Sequence, residues 1–120
     1  MTEARLSLGR CGEDAAALYL AEKGYRIVAR NLRTPVGEID IIAQHVKLLI
    51  FIEVKTRRSL AYGSPQEAVG PRKQRQIIRT AQWYLSDTQH RGLQPRFDVI
   101  AILYLPSGPQ IEHIVNAFSL

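Results

Sequence analysis

Asp40, Glu53 and Lys55 stand in runs that an ordinary hydrophobic hairpin would fill with valine and isoleucine. Asp40 lies in GEIDIIAQ (37–44), and Glu53 and Lys55 lie in KLLIFIEVKTR (47–57). Burying any of these charges without a partner costs several kcal/mol, so something must meet them. Strand side chains alternate, which predicts Leu49, Phe51, Glu53 and Lys55 on one face and Ile50, Ile52 and Val54 on the other. The same rule pairs Asp40 with Ile42, opposite Ile39 and Ile41. The short His45-Val46 connection predicts an antiparallel hairpin, with Asp40 and Glu53 on neighbouring strands. Two carboxylates that close repel each other, and one of the pair is held protonated. A divalent cation removes the conflict, and hard oxygen ligands suit Mg²⁺ or Mn²⁺. Lys55, two residues beyond Glu53, then reaches an attacking water or a scissile phosphate. The chemistry expected is metal-assisted hydrolysis of a phosphodiester. A lone Glu-X-Lys triplet is common. Its weight here comes from its place at the end of an apolar strand with an acid on the partner strand.

Several elements must position these residues. Residues 7 to about 23, SLGRCGEDAAALYLAEK, predict a helix closed by Gly24 at the C′ position. On that helix Glu13 falls between Ala16, Ala17 and Leu20, on the inward side, while Asp14 and Glu22 point elsewhere. A salt bridge to a Lys or Arg beneath the helix is the plain alternative for Glu13. YRIVARNLR (25–33) predicts the first strand, and 37–44 and 47–57 the hairpin. Residues 58–70 form a loop containing Gly, Ser and Pro, with room for one helical turn. Pro71 suits the first position of a second helix running to about Asp87. RFDVIAILYL (96–105) predicts a strand, and PSGPQIEHIVNAF (106–118) a turn and a short last strand. The order α-β-β-β-α-β-β describes an α/β fold, one mixed β-sheet flanked by helices. Strand 47–57, apolar on both faces apart from its acid and base, is its central strand. At 120 residues the chain suffices for a single domain, 1–120.

On the second helix Ile77, Ile78, Ala81, Tyr84 and Leu85 gather on one side as a core face. Arg72, Arg75, Gln76, Arg79 and Gln82 take the other, with Trp83 among them and Lys73 at the edge near the helix N-terminus. Such a face is either solvated, with Trp83 covered by a loop or a second subunit of a homodimer, or it binds a phosphate backbone. In the second case Arg57 and Arg58 continue it from the central strand. The formal net charge of +5 agrees with a polyanionic partner, and no residue pattern reads bases. Asp98 either lines the same cleft or only meets Arg96 or a neighbouring cation. Glu38 is a solvated or turn residue, and His45, His90 and His113 lack ligand spacing and belong to the surface or to packing. The single Cys11 excludes an internal disulfide and fits a reducing compartment. The opening MTEARLSLGR has no apolar signal core, and no apolar run approaches the ~18 residues of a membrane span. A cytoplasmic protein without a membrane partner is expected.

The arrangement Gly37-Glu38-Ile39-Asp40 followed by Glu53-Val54-Lys55 resembles the PD-(D/E)XK nuclease signature, most closely its archaeal Holliday junction resolvase branch. More of the chain resembles the YraN-like family of bacterial proteins. Gly12-Glu13 with Ala16, Tyr19-Leu20, Gly24-Tyr25, Arg30-Asn31, Arg96-Phe97-Asp98-Val99 and Asn116-Ala117-Phe118 follow that pattern nearly end to end. Ile39 stands where the motif's proline would be; that proline ligates nothing. The resemblance implies a restriction-endonuclease-like core and a metal-dependent nuclease acting on nucleic acid, DNA in the first instance. It implies that Asp40, Glu53 and the Val54 carbonyl bind the metal. It further implies that Lys55 positions or deprotonates the attacking water and that Glu13 is the helix acid of the resolvase branch. A nucleic-acid-binding module that keeps the fold, cleaves nothing and acts through a partner is the alternative.

Overall fold

The computed structural model describes residues 3–58 and 69–119. The chain runs α1 (Glu3–Glu22), β1 (Arg26–Thr34), β2 (Gly37–His45), β3 (Leu48–Arg57), α2 (Pro71–Leu85), a 3-10 turn (Thr88–His90), β4 (Gln94–Leu105) and β5 (Gly108–Phe118). The five strands form one mixed sheet in the order β1-β2-β3-β4-β5. Only β3 and β4 are parallel, and α2 makes the crossover that a parallel pair requires. The expected order α-β-β-β-α-β-β is therefore the observed one.

One helix covers each face. On the α1 side Ala16 and Leu20 pack on Ile41, Ile50, Ile52 and Ile100. On the α2 side Ile77 and Ala81 pack on Ile42, Leu49, Phe51 and Val99. Phe51, Phe97 and Phe118 stack across β3, β4 and β5 with ring centroids 5.6 and 5.2 Å apart. Each such side chain contributes about 1.5–3 kcal/mol by leaving water. The alternation expected along β3 holds, because both of its faces are apolar cores. No described helix is long and apolar enough to cross a membrane.

Some boundaries differ from expectation. α1 begins at Glu3 rather than Ser7, since Glu3-Ala-Arg-Leu contains good helix formers and no breaker. Gly24, with φ 91°, closes it as expected, and Tyr25 N–H donates to Leu20 O at 2.9 Å. β5 is eleven residues long, not a short strand. Its outward polar residues and the left-handed Asn116 (φ 54°) disguise its length in the sequence. Residues 59–68 of the expected loop lie outside the described residues.

The largest departure is at Asp40. Ile39 and Ile42 both join the α2-side core, while Ile41 joins the α1-side core. Strict alternation, which would set Ile39 with Ile41, fails there by one residue. Pairing between β2 and β3 runs from His45↔Leu48 to Ile41↔Ile52. Beyond it the Val54 N–H donates to Asp40 Oδ2 at 2.8 Å. A side chain has replaced the backbone partner, and β2 bends away at the acid, in the way that local irregularities re-aim side chains.

Candidate active site

Where β2 parts from β3, Asp40 and Glu53 come together. Glu53 is 6% exposed. Its pKa is pushed up to about 7 by burial and by the Asp40 charge, against the pull of Lys73 and Lys55. Burial also raises Asp40, outweighing the Val54 N–H and the two lysines, and the carboxyls are close enough to share a hydrogen bond when one is protonated. The expected pairing of the acids is thus observed. It arises from the bend at Asp40 and not from the face assignment that alternation predicts. A strand residue's N–H and C=O leave on the same edge, so the Val54 carbonyl also faces the side where β2 has withdrawn.

Two lysines meet Glu53. Lys55 Nζ lies 3.5 Å and Lys73 Nζ 3.8 Å from Glu53 Oε1. Lys73 was expected at the edge of the basic face, yet it turns toward the sheet. The legible signal is its spacing: positions 73, 77, 80 and 84 form one stripe of α2, and Ile77 and Thr80 within it are buried. A lysine at a core-facing helix position signals a buried acid opposite it.

Glu13 stands on the α1 side of the same opening. With the Asn31 amide turned so that its NH₂ faces the carboxylate, Nδ2 lies 2.7 and 3.1 Å from the two Glu13 oxygens. Asn31 holds a left-handed backbone, φ 52°, beside the bend at Asp40. Burial and the Asp40 charge raise the Glu13 pKa, and the Asn31 bond and Arg30 oppose them. The expected alternative, a salt bridge beneath the helix, belongs to its neighbour: Arg30 bonds Asp14 at 2.7 Å. Glu13, Asp40 and Val54 line an open cleft of about 1010 Å³, together with Arg10, Arg30 and Arg33. Arg10 and Arg33 were not singled out in the sequence, and Arg30 only within the family pattern, although Arg10 lies one turn before Glu13.

Among the described residues no three His, Cys, Asp or Glu side chains converge to hold a metal. A Mg²⁺-type ion does not require three. It is commonly held by one or two carboxylates, with water and substrate phosphate completing its shell. A buried and a half-buried acid forced together, with a carbonyl on the same edge, fit such an ion.

The remaining candidates separate clearly. Arg58, Arg72, Arg75 and Arg79 are exposed and Arg57 is half-buried. Trp83 is 47% exposed on the same helix. Asp98, fully buried on the α1 side of β4, is not in the cleft. It accepts bonds from Arg96 (2.9 and 2.8 Å) and from Asn116 N–H (3.0 Å), and lies 2.7 Å from His113 Nε2. Burial works to raise its pKa, but these bonds prevail and hold it below the usual carboxylate range. His45 packs edge-on against Tyr25, and His90 stacks on Tyr84. Glu38 pairs with Arg33 at the surface, 3.4 Å apart, and Cys11 is exposed.

A model of the uncharacterised protein family UPF0102 matches residues 12–102, a span containing Glu13, Asp40, Glu53, Lys55 and Lys73. A UPF0102 protein of Syntrophotalea carbinolica is 58% identical over 120 residues, covering 100% of this chain and 98% of the relative. One from Geobacter sulfurreducens is 54% identical over 114 residues, covering 94% and 89%. Another, from Rhodococcus jostii, is 51% identical over 115 residues, covering 94% and 97%.

Proposed function

The chain belongs to the uncharacterised protein family UPF0102, and we propose that it is a divalent-metal-dependent endonuclease that hydrolyses DNA phosphodiesters, with branched or junction forms as preferred substrates. The observation that carries this is the Asp40–Glu53 pair: two carboxyls, one 6% exposed, pressed together where Asp40 lines a cleft. A fold gains nothing from that repulsion, whereas a Mg²⁺ or Mn²⁺ site requires it. The resemblance to the PD-(D/E)XK signature and its resolvase branch supports the substrate class.

Asp40, Glu53 and the Val54 carbonyl would hold the ion. When bound, the ion supplies Lewis-acid charge to the phosphate and makes water a stronger nucleophile at neutral pH. Lys55 would steady the attacking water and the charge growing on the phosphate. Glu13, its pKa raised by burial and by Asp40, would accept the water's proton. Arg57, Arg58, Arg72, Arg75 and Arg79 would bind neighbouring phosphates without reading sequence.

Labelled single-stranded, duplex and four-way DNA, incubated with Mg²⁺, Mn²⁺ or chelator, tests the proposal. Cleavage should require metal and disappear in Asp40→Asn, Glu53→Gln and Lys55→Ala. Undiminished cleavage in all three variants would assign it to a contaminant. The non-catalytic nucleic-acid-binding module is favoured by one observation, that Lys55 and Lys73 already balance Glu53 without an ion. Binding of the same substrates with no cleavage in either metal would select it.

A further inference from the structure

Lys73 is the charged group of the site that the motif does not account for. It reaches Glu53 from the opposite element to Lys55: one lysine comes from β3, the other from the sheet-facing side of α2. Both ammonium groups lie within 4 Å of the same oxygen, Glu53 Oε1, at 3.5 and 3.8 Å. Placing two cations on one carboxylate oxygen costs repulsion between them. The arrangement is tolerated because Asp40 adds a second negative charge beside Glu53, and Lys73 acts on both acids. Once both acids have lost their protons the site is neutral, two carboxylates against two ammonium groups.

We propose that Lys73 is a second active-site lysine, one that balances Asp40 and Glu53 in the metal-free protein and holds the scissile phosphate once a divalent ion takes those carboxylates. This rests on the nuclease reading above. An ion on the two acids leaves both lysines without counter-charge. A phosphodiester entering the site carries one negative charge, and attack by a hydroxide-like oxygen makes the transition state doubly negative. Two lysines match that state, whereas one would leave it half compensated. In the step itself the water oxygen bonds to phosphorus and one P–O ester bond breaks. The water's proton goes to Glu13, and the departing oxygen takes a proton from solvent. Lys73 stays charged and transfers none. Its side chain is 37% exposed and its flexible stem allows the short move from carboxylate to phosphate.

The test compares wild type, Lys73→Met, Lys73→Arg and, as control, Lys47→Gln at the exposed turn between β2 and β3, each first checked for a cooperative thermal transition. Mn²⁺ affinity is measured at pH 8.5, where Glu53 is ionised, and single-turnover cleavage is measured on four-way DNA. Lys73→Met should bind Mn²⁺ about threefold to tenfold more tightly, because a competing cation has gone. It should nevertheless cleave about 100-fold more slowly. Lys73→Arg should return both values most of the way to wild type. A lysine that merely braces α2 would not raise metal affinity while lowering rate. If Lys73→Met matches wild type in both readouts, or loses both together, the role given to Lys73 is overturned and the nuclease stands. If the wild type neither binds Mn²⁺ nor cleaves, the nuclease reading is overturned and Lys73's role falls with it.

Discussion

With 6% of its surface exposed and Asp40 beside it, Glu53 keeps its proton up to a pH of about 7. In the unfolded chain it ionises near the ordinary value of 4.5. Between those values the folded protein holds a proton that the unfolded chain has lost. Stability therefore falls as pH rises through that window. Above it the penalty is complete, about 3 kcal/mol at the 1.36 kcal/mol carried by each pH unit. Glu53→Gln should accordingly raise the unfolding free energy by about 1–3 kcal/mol at pH 8 and leave it nearly unchanged at pH 4.5. Mn²⁺ competes with that proton, so its stabilisation of the wild type should grow from pH 5.5 to pH 8 and vanish in Glu53→Gln. Melting curves at pH 4.5 and 8 check the first statement, and curves at pH 5.5 and 8 with and without Mn²⁺ check the second. Equal Mn²⁺ shifts at the two pH values would separate Glu53 from the ion.

At the scale of elements, α1 must approach β3 closely for Glu13 to face Asp40. Gly12 makes this possible, since a Cβ there would overlap the Thr56 side chain and come within 2.9 Å of its Cβ. Gly12→Ala should cost about 1–3 kcal/mol and also weaken cleavage, because the helix carrying Glu13 is pushed off the sheet. Thr56→Ala in the same chain should recover part of both losses, and a double-mutant cycle measures the coupling. Additive losses would place the effect of Gly12 elsewhere. The same elements show what the sequence made legible. β3 was readable because both of its faces are core, so alternation alone assigns every side chain, Glu53 and Lys55 included. The bend at Asp40 was not, because it depends on a side chain capping the Val54 N–H across the hairpin, and no local pattern encodes that contact. Lys73 stands at the edge of the basic face in the sequence, and its stripe with Ile77 and Thr80 is the signal that turns it toward the sheet. Asp98 presented two alternatives in the sequence, and the packing of β5 chose between them; the packing of α1 sets Glu13 against Asn31.

Across the whole molecule, charge is divided between an internal network and two outer surfaces. Asp98 ties β4 to β5 through His113 and Asn116 and, through Arg96, to Tyr25 at the start of β1. Asp98→Ala would leave Arg96 half-buried without its partner and should cost about 3–5 kcal/mol. Mn²⁺ affinity of the folded fraction should not change, since none of these residues acts on Asp40 or Glu53. Because its folded pKa is lowered, Asp98 contributes stability above its unfolded pKa and loses it as pH falls, the opposite sign to Glu53. On the proposed function, nucleic acid has two approaches, along α2 by Arg72, Arg75 and Arg79, or along the α1 cleft by Arg10, Arg30 and Arg33. Each phosphate neutralised on duplex DNA contributes about −0.9 to the slope of log affinity against log salt. Changing Arg72, Arg75 and Arg79 to Gln should weaken binding to all sequences alike and flatten that slope by about two to three, with little change in melting temperature. The cleft arginines are largely committed already, Arg30 to Asp14 and Arg33 to Glu38, so their replacement should flatten it by less. If the α2 variant keeps its affinity while a dimer dissociates, that face with Trp83 joins two copies of the chain. The proposed DNA substrate would then have to enter along α1, where the acids of the cleft would repel it unless a divalent ion were bound.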